Sequence, residues 1–289
     1  MTGARLEVRM ESLLLSCRAL SSPTTCRFIP AHSVPEVFAP GASPRLSRVR
    51  SAGQPRTRSL TLAVPAGPAA RYNRDFPMPP RGLFITFEGM DGSGKTTQIE
   101  RLSARLRSMG RTVIETAEPG GPPIAMKIRR VLLDSANQEL SPVTEVLLYF
   151  ASRAQNVDEW IAPALARGTI VLSDRFTDSS LVYQGHGRGL GAATIAELER
   201  IACRGVKPDL TILVDVDAEA SLARARARNA AHPHCETRMD DQSLEFHRRV
   251  WHAYHTLAAA EPGRIKVVDG RTGIDALERQ IWSIVSAYV

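Results

Sequence analysis

The sequence lacks any apolar run that approaches the roughly 18 residues needed to span a membrane, which argues against a membrane partner. Its 289 residues contain only four cysteines, and these show neither a C-x-x-C pair nor another metal-binding spacing. A disulfide framework is therefore not indicated, and free thiols in a reducing compartment, the cytoplasm, are expected. Hydrophobic residues make up 43% and charged residues 23% of the chain, which is typical of a soluble globular protein of one large or two ordinary domains.

Acidic residues are scarce in the first 80 residues, which hold eleven arginines, no lysine and only four acids. This segment thus carries a net charge of +7, equal to that of the whole chain, and the remaining residues balance to zero. The charge distribution therefore does not indicate a basic patch on the folded part, which a nucleic-acid-binding protein would need. We expect no nucleic-acid partner.

Residues 1–79 also lack a sustained helical or strand period and are rich in Ser, Pro, Ala and Arg. This composition resembles an organelle transit peptide, and it equally fits a disordered tail. Upstream sequence that is not translated is a third possibility, because Met78 stands directly before the first predicted strand. We favour a dispensable disordered extension over residues 1–79, followed by one domain over residues 80–289.

A glycine-rich stretch follows the first predicted strand, an apolar run over residues 83–87, and precedes a helical pattern that begins at Lys95. The stretch fits G-x-x-x-x-G-K-[ST] through Gly89, Gly94, Lys95 and Thr96. Such a loop turns backbone N–H groups towards an anion, and the helix N-terminus adds its dipole. The lysine charge acts on the β- and γ-phosphates, and the threonine hydroxyl can bind Mg²⁺. The predicted ATP-binding residues are Gly89, Met90, Asp91, Gly92, Ser93, Gly94, Lys95, Thr96 and Thr97.

Strand and helix patterns alternate along the rest of the chain. Further strands are predicted over residues 112–116, 169–173, 210–216 and 265–268. Helices are predicted over residues 95–109, 124–134, 142–156, 158–167, 178–184, 192–203, 218–229, 242–260 and 274–288. The alternation predicts an α/β, three-layer P-loop kinase fold with a five-stranded parallel sheet and helices on both faces.

Five short motifs occur in the order in which bacterial-type thymidylate kinases carry them. They are Phe-Glu-Gly-x-Asp-Gly-x-Gly-Lys-Thr-Thr (87–97), Glu-Pro-Gly-Gly (118–121), Asp-Arg-Phe (174–176), Tyr-Gln-Gly (183–185) and Pro-Asp-Leu-Thr-Ile-Leu-Val-Asp (208–215). The chain thus resembles that family from residue 82 to about residue 286. The resemblance implies Mg²⁺- and ATP-dependent phosphorylation of dTMP to dTDP. It also implies a homodimer, with the helix over 142–156 or 192–203 as a possible contact.

Transfer to a monophosphate needs fixed cations at the acceptor, and arginine suits phosphate because its planar fork binds two oxygens. The candidates are Arg153 and Arg175. Asp174 ends a strand at the carboxyl edge of the sheet, where it could bind Mg²⁺ or cap a helix. Asp91 is either a solvated loop residue or, by the resemblance, the carboxylate that holds the sugar 3′-hydroxyl.

Recognition of the base is assigned by the resemblance alone. Phe150 resembles the aromatic residue that stacks on thymine, although core packing also explains an aromatic in a helix. It lies one helical turn before Arg153, on the same face. Ser180 and Gln184 match positions that hydrogen-bond the base, although surface polar residues would look the same, and Tyr183 completes the predicted dTMP-binding set.

The chain departs from the family pattern at three places. Ala117 replaces the usual arginine before the Glu-Pro-Gly-Gly motif, and Ser152 replaces an aspartate, which leaves the pairing of Arg153 open. The third departure is a longer loop with His232, His234 and Cys235, whose spacing matches no common zinc site, so we interpret it as a variable loop.

A mobile lid is predicted over about residues 229–241. The P-loop carries Gly92 and Ser93 where some relatives have an arginine, so a lid-side arginine is expected to supply the catalytic charge. The available residues are Arg224, Arg226, Arg228 and Arg238. By its resemblance to the lid-to-helix junction of the family we favour Arg238, with Arg228 second. The arginine run over 224–228 could equally be the solvated face of a helix.

Two alternative functions stay open. One is a kinase of the same fold that acts on dCMP, UMP or a deoxynucleoside, since the base contacts rest on the resemblance alone. The other is a P-loop GTPase-type switch, because residues 206–209 faintly resemble its guanine-binding motif Asn-Lys-x-Asp. Here that stretch precedes a strand and has Val206 in place of the asparagine.

Overall fold

The computed structural model describes residues 81–231 and 236–289, so the predicted extension over residues 1–79 and part of the predicted lid, residues 232–235, lie outside the described residues. The described chain forms one parallel five-stranded sheet in the order β2-β3-β1-β4-β5. Its strands are β1 (Phe84–Glu88), β2 (Val113–Ala117), β3 (Ile170–Asp174), β4 (Leu210–Asp215) and β5 (Ile265–Asp269). The predicted sheet and fold class are confirmed.

The α-helices of the described residues connect the strands and cover the sheet. They are α1 (Lys95–Ser108), α2 (Pro123–Leu133), α3 (Pro142–Asn156), α4 (Ala162–Ala166), α5 (Thr177–Ser180), α6 (Ala192–Cys203), α7 (Ala218–Ala231), α8 (Leu244–Ala260) and α9 (Ile274–Val285). A 3₁₀ turn (Ser135–Asn137) and two π-helical stretches (Val157–Ile161 and Leu181–Gly187) complete the list. None of these helices combines the length and hydrophobicity that crossing a membrane requires.

Serine caps explain where two of the helices begin. Ser141 accepts a hydrogen bond from the backbone N–H of Thr144 ahead of α3, and Ser243 accepts one from Phe246 ahead of α8. Each cap satisfies an N–H group that the first helical turn leaves without a partner. The start of α3 therefore agrees with the prediction, whereas α8 begins two residues later than the predicted helix over 242–260.

Strand β1 lies at the centre of the sheet and is buried along its whole length. Successive side chains of a strand point to opposite faces, so Phe84 packs with α3 and Phe176, and Ile85 packs with α1 and α9. Burial of both faces explains the continuous apolar pattern of β1, which is typical of parallel sheets. The parallel pairing of β1 with β3 and with β4 places the carboxyl ends of these strands side by side at one edge of the sheet.

Candidate active site

A cavity of about 990 Å³ opens at the carboxyl ends of the strands, between the loop after β1 and the residues around α3, α5 and α7. Open α/β sheets bind their ligands at this edge. Seven basic and five acidic side chains line the cavity: Lys95, Arg129, Arg130, Arg153, Arg175, Arg224, Arg228, Asp91, Glu118, Asp174, Glu236 and Asp240. The excess of positive charge suits anionic ligands.

The loop after β1 has the backbone that its glycines predict. Gly89 and Gly92 have φ angles of 131° and 77°, in the region that favours glycine. A Cβ atom at Gly89 would also lie 2.4 Å from the carbonyl oxygen of Val214, so a larger residue does not fit there. The buried Lys95 donates from Nζ to the carbonyl oxygens of Gly89 (3.2 Å) and Met90 (2.9 Å). Burial and the nearby Arg175 lower the pKa of Lys95.

Thr96 and Asp174 meet beside this loop. The hydroxyl of Thr96 donates to Oδ2 of Asp174 at 2.9 Å, while Oδ1 of Asp174 is buried without a hydrogen-bond partner. A hydroxyl and a free carboxylate oxygen are ligands that Mg²⁺ accepts together with phosphate oxygens. These residues therefore fit a magnesium ion. Asp174 does not cap α5, since the backbone N–H groups of Phe176 and Ser179 donate to Glu88 instead.

Asp91 and Arg175 form an ion pair at the mouth of the loop. Nη2 of Arg175 donates to Oδ1 of Asp91 at 2.8 Å, and Nη1 donates to Ser179 (3.0 Å) and Tyr254 (3.1 Å). Burial alone would raise the pKa of Asp91, but the charges of Arg175 and Lys95 lower it well below its usual range. The φ angle of 71° at Arg175 is rare for a residue with a side chain, and such strain is found at functional sites.

Glu88 lies behind Arg175 and organises its surroundings. Its carboxylate accepts hydrogen bonds from the backbone N–H of Phe176 (2.8 Å), the hydroxyl of Ser179 (2.6 Å) and the hydroxyl of Tyr254 (2.7 Å). Burial, together with repulsion from Asp178, raises the pKa of Glu88 to about 6. Glu88 was not among the predicted site residues, although it stands in the motif that signalled the loop.

Arg153 is almost fully buried, at 1% exposure. Its guanidinium donates to Glu118 (2.5 Å), Ser180 (2.9 Å) and the carbonyl oxygen of Phe176 (3.0 Å). Glu118 belongs to the Glu-Pro-Gly-Gly motif and therefore supplies the charge partner that was left open at Ser152. The hydroxyl of Ser152 instead accepts a hydrogen bond from the backbone N–H of Gly120 at 3.0 Å.

Arg129 was missed by sequence reasoning although it lines the cavity. It projects from α2 and donates to the carbonyl oxygen of Pro119 (2.8 Å) and to Glu236 (2.9 Å). It thus holds the Glu-Pro-Gly-Gly loop from the side, next to Ala117, where the family commonly has an arginine. The only signal in the sequence was the basic cluster of α2, which also fits a solvated helix face.

The side chains predicted to contact the base divide into two groups. Ser180, Tyr183 and Gln184 line the cavity. Phe150 does not: its ring is buried in the core with Phe84 and Phe176, although Arg153 does lie over it at 4.6 Å. The shared face of Phe150 and Arg153 is therefore a core face. Tyr149, one residue earlier and one turn from Arg153, is the aromatic side chain that lines the cavity.

Of the two lid-side arginines, one lines the cavity and the other does not. Arg228 lines the cavity, is 48% exposed, and donates to Asp240 at 3.2 Å. Arg238 does not line it: its side chain is 1% exposed and donates to Glu145 (2.7 Å) and to the carbonyl oxygen of Leu132. The prediction that Arg238 is the lid cation is therefore corrected, because its buried guanidinium already donates to Glu145 and to a backbone carbonyl oxygen.

The remaining arginines of the run over 224–228 are also placed. Arg224 lines the cavity and donates to the carbonyl oxygen of Gly270 at 3.1 Å, whereas Arg226 is exposed and away from the cavity. The residues that suggested a guanine-binding motif do not reach the cavity either. Asp209 accepts a hydrogen bond from the backbone N–H of Phe84 at 2.8 Å and thereby fixes the start of β1. A guanine-binding motif at this position is not supported.

No cluster of three or more potential metal-binding side chains (His, Cys, Asp or Glu) occurs within residues 81–231 and 236–289. His232, His234 and Cys235 lie outside the described residues. The Thr96–Asp174 pair is thus the metal-binding arrangement that the described chain offers, and it depends on phosphate oxygens to complete the ligand set.

Comparison with known proteins gives a consistent result. Residues 87–281 match the family model described as Thymidylate kinase. The thymidylate kinase of Pelobacter propionicus is 51% identical over 202 residues, covering 69% of this chain and 92% of that protein. That of Geobacter sulfurreducens is 53% identical over 196 residues, covering 68% of this chain and 92% of that protein. A crystal structure of thymidylate kinase from Ehrlichia chaffeensis superimposes with a TM-score of 0.58 at 30% identity, over 71% of this chain and all of that one.

Proposed function

The chain belongs to the thymidylate kinase family, and we propose that it transfers the γ-phosphoryl group of ATP to dTMP in the cavity described above. The observation that carries the proposal is that one cavity joins Lys95 and Thr96 of the P-loop to Arg175 and to the polar pair Ser180 and Gln184. A donor triphosphate and an acceptor nucleotide can thus meet between them. Transfer then needs mainly positioning and neutralisation of charge.

The P-loop residues 89–97 bind the ATP phosphates in this proposal. Backbone N–H groups and the N-terminus of α1 surround the phosphates, and Lys95 exchanges its carbonyl contacts with Gly89 and Met90 for the β- and γ-phosphate oxygens. Bound Mg²⁺, held by Thr96 and Asp174 together with phosphate oxygens, would offset the charge that develops on the transferring group.

The acceptor phosphate binds Arg175, which Glu88 and Tyr254 hold from behind. Asp91 then gains a free oxygen for the sugar 3′-hydroxyl, because the incoming phosphate competes with it for the guanidinium of Arg175. Arg129 is a second cation for the same phosphate, since it lines the cavity beside the Glu-Pro-Gly-Gly loop. The planar guanidinium of Arg175 or Arg129 can donate two hydrogen bonds at once to a dianionic phosphate.

The base binds at the opposite end of the acceptor site, where Tyr149 offers a ring face and Ser180 and Gln184 offer hydrogen bonds. We move Arg153 from the phosphate to this end, because its guanidinium donates to Ser180. The hydroxyl proton of Ser180 is then available to the base. Arg228, from the C-terminal end of α7, supplies the lid charge when closure excludes water.

A homodimer is part of the proposal. Val143 and Leu147 lie one turn apart on α3 and are 58% and 51% exposed, and Ile201 on the adjoining α6 is 60% exposed. These side chains support a contact through the two helices that the sequence indicated. Sedimentation should give twice the mass of the chain at micromolar concentration, and Leu147→Glu should shift it towards a monomer. A wild-type protein that is monomeric at that concentration would contradict the proposed homodimer. A cytoplasmic location remains a prediction.

The test of the activity is ADP release from ATP in the presence of single acceptors. We expect stimulation by dTMP and much less by dCMP, GMP or thymidine. Lys95→Ala should lower turnover by roughly a hundredfold or more, because the lysine charge acts in the transition state. The matched control is Lys127→Ala, an exposed lysine of α2 that does not line the cavity. Stimulation by another acceptor alone would reassign the substrate, and GTP binding without any acceptor would revive the switch hypothesis.

A further inference from the structure

Glu145 of α3 is a fully buried carboxylate that does not line the cavity, yet it contacts a residue that does. Its Oε1 accepts hydrogen bonds from Nε2 of Gln184 (3.0 Å) and Nε of Arg188 (3.2 Å). Its Oε2 accepts from Nη2 of Arg188 (2.9 Å) and Nη1 of Arg238 (2.7 Å). The carboxylate thus joins α3, the end of the π-helical stretch Leu181–Gly187 and the segment that follows residues 232–235.

The charge state of Glu145 decides how Gln184 is oriented. Burial alone would raise the pKa of Glu145, but the hydrogen bonds from Arg188 and Gln184 outweigh it and lower that pKa. An ionised carboxylate can only accept hydrogen bonds, so the NH₂ group of Gln184 must face it. The carbonyl oxygen of the same amide then faces away from Glu145. Among the described residues, no group donates to this oxygen, and Gln184 lines the cavity.

An acceptor that cannot rotate discriminates between pyrimidines. Thymine and uracil carry a proton on N3 and can donate to a carbonyl oxygen, whereas cytosine presents a lone pair at N3. A site built to pair with a donor rejects a ligand that lacks it, because a buried polar group is left without a partner. A freely rotating glutamine would lose this discrimination, since its NH₂ group could turn to meet cytosine.

We propose that Glu145 is a positioning residue that sets the pyrimidine selectivity of this site, by fixing the amide of Gln184 with its carbonyl oxygen towards N3 of the base. The inference rests on the proposed function for the location of the base. It assigns to Glu145 a role that differs from its evident contribution to stability through Arg188 and Arg238. An experiment must therefore separate selectivity from folding.

The test compares kcat/KM and equilibrium binding of dTMP, dUMP and dCMP in wild type and Glu145→Gln. Glutamine has nearly the same shape, but its amide can present either end to Gln184. We expect the preference for dTMP over dCMP to fall by about ten- to a hundredfold, mostly through KM for dTMP. The preference for dUMP over dCMP should fall equally. The ratio of dTMP to dUMP should stay unchanged, because those two bases share the same N3 edge.

Two further variants separate orientation from stability. Arg188→Lys weakens the same buried cluster, because it replaces the guanidinium that contacts both oxygens of Glu145. It keeps a cation beside that carboxylate, so Glu145 stays charged and bonded to Gln184, and the dTMP:dCMP ratio should stay within about twofold of wild type. In a Gln184→Leu background, Glu145→Gln should change the ratio no further. If Glu145→Gln fails to fold, Glu145→Asp serves instead, since it keeps the charge but withdraws the carboxylate, and we expect a smaller loss of selectivity.

Each outcome decides one of the two hypotheses. An unchanged dTMP:dCMP ratio in Glu145→Gln, or an equal loss in Arg188→Lys, would overturn the role of Glu145. A wild-type protein that binds dTMP and dCMP equally would overturn it as well. A wild-type protein that discriminates in binding but transfers no phosphoryl group would instead overturn the proposed function, while the binding ratios would still test Glu145.

Discussion

Arg228 and Arg238 stand on either side of residues 232–235 and have the same side chain, yet the fold treats them in opposite ways. Arg228 is half exposed at the cavity and has one carboxylate partner, Asp240. Arg238 is buried and donates to Glu145 and to a backbone carbonyl. A half-exposed guanidinium can leave its partner for solvent or a ligand at little cost, whereas a pair in which both groups are buried is costly to break. The first arginine is therefore free to leave Asp240 for a phosphate, and the second ties the C-terminal part of the predicted lid, residues 236–241, to α3.

The largest effect should come from removing the free arginine. Arg228→Ala should lower kcat by roughly a hundred- to a thousandfold, because a supplied arginine acts on charge that develops in the transition state. KM for ATP and dTMP and the free energy of unfolding should change little. Arg226→Ala, an exposed arginine of the same helix, is the control in steady-state kinetics. A nearly normal kcat for Arg228→Ala would end the distinction between the two arginines.

Removing the buried arginine should act on stability instead. Among the described residues, Arg238→Ala leaves Glu145 with Arg188 as its only charged partner. We expect the free energy of unfolding to fall by about 3 kcal/mol. The kcat of the remaining folded enzyme should fall far less than in Arg228→Ala. Urea unfolding followed by circular dichroism, with kinetics per active site, measures both quantities. A kcat loss as large as that of Arg228→Ala, without destabilisation, would restore the original assignment.

Two buried carboxylates that lie beside arginines, Glu145 and Glu88, differ in a related way. Glu145 touches two arginines directly and has a lowered pKa, whereas the nearest nitrogen of Arg175 lies 4.0 Å from Glu88, whose pKa is raised to about 6. Burial is the main cause at Glu88, because it disfavours the charged form. The native state therefore holds this proton at a higher pH than the unfolded chain does. Its stabilising effect is complete below about pH 4.5 and is lost as the pH rises through about 6.

Glu88→Gln cannot titrate, so the difference in unfolding free energy, variant minus wild type, should increase between about pH 4.5 and about pH 7. The expected change is about 2 kcal/mol, from the difference between the pKa of Glu88 in the native state and its usual value. Urea unfolding at several pH values measures it. A difference that does not vary with pH would mean that Glu88 titrates normally and that Arg175 compensates its charge fully.

The smallest effect is expected at Asp240, the partner of the free arginine. Asp240→Asn removes the ion pair at 3.2 Å but keeps an acceptor for Asn229. The carboxylate of Asp240 is buried, but the guanidinium that the substitution leaves behind is half exposed and stays solvated. We therefore expect kcat to change by no more than about fivefold and the unfolding free energy by less than about 1 kcal/mol. Steady-state kinetics and urea unfolding measure these changes. A kcat as low as that of Arg228→Ala would show that Asp240 positions the arginine rather than merely resting against it.

The P-loop could be predicted from the sequence because its function is carried by the backbone. Gly89 and Gly92 are required by φ angles and close approaches that no other residue tolerates, so the residue type itself reveals the geometry. The strands could be predicted for a related reason. A central parallel strand such as β1 is buried on both faces, so it appears in the sequence as a continuous run of apolar residues between turns.

The two aromatic residues of α3 could not be separated in this way. Phe150 and Tyr149 are neighbours, and each lies about one turn from Arg153, so helical spacing places either of them beside the arginine. The outcome depends on how far α3 is rotated against the sheet. The structure turns Phe150 into the core with Phe84 and Phe176, which leaves Tyr149 for the cavity.

Local patterns of glycine, apolar residues and short motifs were enough to predict the α/β fold, the phosphate-binding loop and the family. The folded arrangement was needed to show which arginine is free and which is buried, what pairs with Arg153, and that Glu145 faces Gln184. These outcomes depend on contacts between residues as far apart as Glu145 and Arg238, and on the burial that the whole fold imposes. The sequence does not show whether a charged side chain is exposed to solvent or paired with a buried partner. The free energy of breaking its ion pair nevertheless differs by several kcal/mol between the two cases.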